Sequence, residues 1–149
     1  MMARDDAPTY FSKIAALVAS RSTCIKQHVG AIIVKDKHIL STGYNGAPKG
    51  VSHCNEQTCL RMKMGSLEQA HLCRGVHAEQ NAIIQAALHG TSTQGATLYT
   101  THFPCMSCTK ILINAGIREI VYQAPYDMEN ETKMSLLYEA GVKLRNVVV

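Results

Sequence analysis

With 149 residues, 46% of them hydrophobic and 17% charged, the chain has globular composition, which excludes a disordered polymer and fits a single domain, residues 1–149. No apolar run approaches the roughly 20 residues of a membrane span, and Met1–Pro8 lacks the apolar core of a secretion signal, so a cytoplasmic protein with no membrane partner is expected. The formal net charge of +4 is scattered, which argues against a nucleic-acid face and suits solvated surface or attraction for a small anion.

Tyr10–Ser20 has apolar positions at helical spacing and follows Pro8-Thr9, which suit a helix start. Val29–Lys35 is a β-branched run, Asp36-Lys37 is turn chemistry, and His38–Gly43 returns as a second strand, so a hairpin is predicted. Tyr44–Gly75 is irregular, with a short helix near Leu60–Met64. His77 begins a helix closed by Gly90, Thr97–Thr101 is a strand, and Cys105–Ala115 is a helix stopped by Gly116. Glu119–Tyr122 is a strand, Thr132–Ala140 a helix ending at Gly141, and Val142–Val148 a last strand. Strands alternating with helices indicate crossover units and a largely parallel second half. The expected fold is α/β: a three-layered domain with one mixed sheet of about five strands, helices on both faces and the hairpin at an antiparallel edge.

Six cysteines stand beside seven histidines. In a reducing compartment they are inert core residues or metal ligands, and spacing must decide. His77-Ala78-Glu79 opens one helix, and Pro104-Cys105-Met106-Ser107-Cys108 opens another. Cysteines at i and i+3 share one helical face, so both sulfurs can reach one ion. The helix N-terminus favours the thiolate that a metal requires. One histidine and two thiolates leave the fourth tetrahedral position of zinc open, the arrangement of catalytic rather than structural sites. Glu79, two residues past the histidine, points off the imidazole's face and suits proton transfer rather than ligation. The competing reading is a structural zinc knuckle with an incidental glutamate.

On these residues the sequence resembles the cytidine/deoxycytidylate deaminase superfamily, whose zinc signature is H-x-E … P-C-x-x-C. The likeness covers nearly the whole chain, through RSTC (Arg21–Cys24), VGAIIVKD, STGYNGAPKG (Ser41–Gly50), HAEQNAI and THFPCMSCTKILINAGI to the final strand. GYNGAP narrows it to the deoxycytidylate deaminase branch. The resemblance implies the cytidine deaminase-like α/β/α fold, with catalytic Zn2+ held by His77, Cys105 and Cys108 and Glu79 as proton shuttle. It implies hydrolytic attack at C4 of cytosine, converting dCMP to dUMP and ammonia and so supplying thymidylate synthesis.

The same resemblance places Asn45 at the deoxyribose, Arg21 and Ser22 at the 5′-phosphate, and Tyr126 near the mouth of the site. Each has a plainer reading: a turn residue favoured by Asn-Gly chemistry, a helix-end Arg-Ser pair, and a packed loop aromatic. Some members of the branch carry a second, structural zinc. Cys24 and Cys54 match its first two ligands and the others come from Cys59, His71 and Cys73, against the alternative of buried free thiols. The resemblance also implies a homo-oligomer, in many members a hexamer under dCTP and dTTP control. Gln85 and Leu88 stand where regulated members carry an aromatic and an arginine, which departs from that pattern. Two alternatives stay open: a related deaminase acting on a nucleoside, dCTP or tRNA, and a non-enzymatic zinc-binding module. Glu79 discriminates against the module, which needs no carboxylate beside an open zinc position.

Overall fold

Asp6 starts the first helix by accepting the Thr9 amide on its Oδ1 at 2.9 Å. In the computed structural model, which describes residues 3–64 and 71–149, α1 runs from Ala7 to Ala19 with Pro8 in its first turn. The helix therefore begins ahead of Tyr10, because a carboxylate is a better cap than the Pro8-Thr9 pair. Residues 65–70 of the irregular stretch lie outside the described residues.

β1 (Gly30–Lys35) and β2 (His38–Tyr44) form the hairpin. Asp36 and Lys37 both take positive φ, 50° and 64°, the requirement of a two-residue turn whose twist matches its strands. After α2 (Leu60–Met64) come α3 (Ala78–Leu88), β3 (Thr97–His102), α4 (Met106–Asn114), β4 (Glu119–Ala124), α5 (Glu131–Glu139) and β5 (Lys143–Asn146). The predicted helix stops Gly90, Gly116 and Gly141 all adopt positive φ. The last strand is shorter than Val142–Val148: Asn146 turns its side-chain amide onto the Tyr122 and Gln123 carbonyls, and the ladder ends there.

The five strands lie in the order β2-β1-β3-β4-β5. β1 pairs antiparallel with both β2 and β3, whereas β3, β4 and β5 run parallel. Alternation along the strands divides the core. Ile32, Val34, Tyr99 and Val121 face Phe11 and Ala15 of α1, while Ala31, Ile33, Leu98 and Ile120 face Ala82, Leu112 and Leu137 of the other three long helices. Gly43 sets the position of α3, because a Cβ there would collide with the backbone of Ala78 and Ala82. Among the described residues, no helix is long and apolar enough to cross a membrane.

Candidate active site and metal centre

α3 packs across β2 and β1 and α4 starts where β3 ends, and the N-termini of the two helices meet at His77 and Cys105. Open α/β sheets bind their ligands at the carboxyl ends of their strands. His77 is the N-cap of α3 and Cys105 the N-cap of α4, with Cys108 one turn further in. His77 is fixed in this role by its own amide, which donates to Gln80 Oε1 at 2.9 Å. Cys105 Sγ lies 3.5 Å and Cys108 Sγ 3.4 Å from His77 Nδ1. Zn–N bonds of about 2.05 Å and Zn–S bonds of about 2.3 Å at a tetrahedral angle require an N···S separation of roughly 3.6 Å. The donor set therefore fits zinc in chemistry and in spacing, with Nδ1 as the ring donor. Among the described residues, these three side chains form the one group of three or more metal donors whose ligand atoms all lie within 4.8 Å.

The electrostatics follow from crowding donors at two helix ends. The Cys108 thiol beside it pulls Cys105 down to about 4, against the opposing effect of burial. Cys108 is pushed up by the same shared proton and by burial. The Cys105 sulfur, an acceptor for the imidazole, raises His77. Glu79 is 5% exposed and its Oε2 lies 3.6 Å from Cys108 Sγ. Burial lifts its carboxyl above the usual carboxylate range, which moves it toward the pH at which a proton shuttle works.

The group opens into a cavity of about 350 Å³, within the range of roughly 300–1,000 Å³ for small-molecule sites. Asn45 and Tyr126 line it, Tyr126 half exposed at the rim. Arg21 and Ser22 do not line it. Arg21 is exposed, and the Ser22 hydroxyl is directed at Asn45, 2.6 Å from Oδ1. Asn45 Oδ1 also accepts the Val29 amide at 2.8 Å, and its Nδ2 donates to the Gln27 carbonyl at 2.8 Å. Both lone pairs and one N–H of the amide are thus engaged, and a single N–H donor remains for a ligand.

Four cavity residues carry no signal in the sequence pattern. Lys26, Arg61 and Arg74 give its wall three cations, and they come from separate segments with no shared motif. His102 is the fourth. Thr101 Oγ1 accepts the Gly30 amide at 3.2 Å and lies 2.9 Å from His102 Nδ1, which holds the imidazole ring in place. Burial lowers the pKa of His102.

Cys24, Cys54, Cys59 and Cys73 also line this cavity. Burial, followed by the neighbouring Cys24 and Cys73 sulfurs, pushes the Cys54 thiol up. His71 is exposed and does not line the cavity. Gln85 and Leu88 are exposed on α3, outside the cavity.

Residues 6–124 match the family model of the cytidine and deoxycytidylate deaminase zinc-binding region. The chain is 39% identical over 137 residues to deoxycytidylate deaminase of Saccharomyces cerevisiae, covering 92% of this chain and 43% of that protein. It is 40% identical over 128 residues to deoxycytidylate deaminase of Mycobacterium phage D29, covering 81% of this chain and 97% of the relative. The crystal structure of dCMP deaminase from cyanophage S-TIM5 in complex with dCMP and dUMP superposes with a TM-score of 0.79 at 29% identity, covering 98% of this chain and 100% of that one. The chain thus spans less than half the length of the yeast relative and nearly all of both phage proteins. The mixed sheet of five strands with helices on both faces is the cytidine deaminase-like fold, and the chain belongs to the cytidine and deoxycytidylate deaminase family, a zinc-binding one.

Proposed function

We propose that this chain catalyses the hydrolytic deamination of dCMP to dUMP and ammonia, so providing the precursor of thymidylate. The observation that carries this reading is a buried carboxyl, Glu79, held against a zinc-shaped His77-Cys105-Cys108 group at the wall of a nucleotide-sized cavity. A purely structural metal site would leave that carboxyl desolvated for no purpose.

His77, Cys105 and Cys108 would hold the ion. Zinc there supplies the Lewis acidity that lets water act as a nucleophile at neutral pH. Glu79 takes one proton from the attacking water and delivers it to the ring nitrogen beside C4, where it stays, then carries the water's second proton to the departing amine. The exocyclic C–N bond breaks, a C–O bond replaces it, and water plus dCMP become dUMP plus ammonia. Asn45 offers its one remaining N–H to a sugar hydroxyl. Lys26, Arg61 and Arg74 suit the 5′-phosphate better than Arg21 and Ser22 do, because they line the cavity. Tyr126 covers its mouth.

A second, structural zinc belongs to the same reading. Cys24, Cys54 and Cys73 would be its donors, with cavity-lining Cys59 rather than exposed His71 as the fourth; no three of them have all their donor atoms within 4.8 Å of one another, so they would have to close on the ion. Metal analysis of fully loaded protein should return two zinc per chain, and Cys54→Ser should remove one without abolishing ammonia release. Self-association is expected as well: Leu17, Leu88 and Tyr138 expose large apolar surface on three different helices. The reading extends to a single cytoplasmic domain. The absence of the effector residues at Gln85 and Leu88 predicts little response to dCTP or dTTP.

The deciding experiment compares ammonia release from dCMP, CMP, dCTP and deoxycytidine at equal concentration. The highest kcat/KM is expected for dCMP. If zinc-loaded protein releases ammonia from none of them, the deaminase reading is wrong; if deoxycytidine equals dCMP, the phosphate assignment is wrong.

A further inference from the structure

One fully buried charge has no part in the chemistry above. Lys133, in the first turn of α5, is 0% exposed. Its three ammonium N–H groups have three acceptors: the Pro104 carbonyl at 3.1 Å, the Tyr126 carbonyl at 2.9 Å and Asp127 Oδ2 at 3.5 Å. The Phe103 and Tyr126 rings flank it, 5.0 and 5.6 Å from Nζ to centroid. A methionine would fill the same space without desolvating a cation, so core packing alone does not account for a lysine here.

The acceptors show what the charge does. The Pro104 carbonyl belongs to the peptide unit whose nitrogen is that of Cys105, and Tyr126 lies on the loop between β4 and α5 that also lines the cavity. We propose that Lys133 is a positioning residue that fixes the Cys105 backbone for metal binding and ties it to the loop carrying Tyr126. It touches neither substrate nor metal. Its effect reaches zinc through one peptide plane, as outer partners of metal ligands do. The inference rests on His77, Cys105 and Cys108 being zinc ligands, and is independent of which base is deaminated.

The test is a zinc competition titration against a chromophoric chelator, with the fold followed by circular dichroism. Leu137→Ala, on the same helix and buried against the core, serves as a control for general destabilisation. Lys133→Met should weaken zinc binding at the His77-Cys105-Cys108 site, read in a Cys54→Ser background that lacks the second site, about ten- to a hundredfold, Lys133→Gln, which keeps an N–H donor, should lie between, and Leu137→Ala should bind zinc as the wild type does. Lys133→Met with affinity no weaker than Leu137→Ala would overturn the proposal. If Lys133→Met does not fold, the comparison passes to Lys133→Gln, where affinity equal to the control has the same meaning. A wild type that binds no zinc would instead remove the metal-centre reading itself.

Discussion

Ser22 Oγ and Asn45 Oδ1 lie 2.6 Å apart across 23 residues of chain, joining the end of α1 to the loop after β2. With the Val29 and Gln27 bonds this locks the Asn45 amide in one orientation, its last N–H available to the cavity. Ser22→Ala should therefore act on binding and leave the chemical step nearly intact. Losing one such bond corresponds to roughly a five- to tenfold rise in KM for dCMP, with kcat changed less than twofold. Steady-state ammonia release measures both, and an unchanged KM would separate Ser22 from the site.

Glu79→Gln keeps the volume and removes the proton acceptor. Zinc content and fold should stay as in the wild type, while ammonia release falls by about 10²–10⁴. Activity within tenfold of the wild type would mean that another group moves the proton.

The cavity cations make a prediction about substrate choice. Lys26→Ala, Arg61→Ala and Arg74→Ala should each raise KM for dCMP, by roughly tenfold or more if a charge-assisted bond is lost. Turnover of deoxycytidine should be untouched, since it has no phosphate. Arg21→Ala should behave as wild type on both substrates, and a selective dCMP defect in that variant would return the phosphate to the end of α1.

His102 links the cavity to acid stability. Burial holds its pKa below the ordinary imidazole value in the folded chain, which is about 6.5 when unfolded. The unfolded chain therefore binds the proton first as pH falls. The stability gained by keeping His102 neutral is complete above about pH 6.5 and is lost as pH falls toward the folded value, levelling below it. Urea midpoints of wild type and His102→Asn should draw together between about pH 7.5 and 5. A gap that stays constant would show that His102 does not titrate in this way.

The hairpin, the parallel half and the helix stops were legible because they follow from local patterns: a β-branched run, positive-φ turn chemistry and glycine after apolar helical periodicity. The ligand set was legible because the signature places its donors within the first turns of two helices. What the sequence concealed depends on tertiary approach. Gly43 looks like a strand-end glycine, but its lack of a Cβ is what admits the backbone of α3. Asn45 carries an amide, but Val29, Gln27 and Ser22 take all but one of its bonds. Lys26, Arg61, Arg74 and His102 share no spacing and converge only through the loops. Asp6 outcompeted Pro8-Thr9 as the helix start because side-chain capping is stronger than a favourable first residue.

The convergence of α3 and α4 at the end of β3 has a consequence for how the molecule comes apart. His77 sits on the helix that packs across the antiparallel hairpin, whereas Cys105 and Cys108 sit on the crossover joining the parallel strands. An ion shared by the three would act as a clasp across the seam between those halves of the sheet, so its binding free energy would also be resistance to unfolding. Zinc activity in the surroundings would then tune the thermal stability of the whole domain.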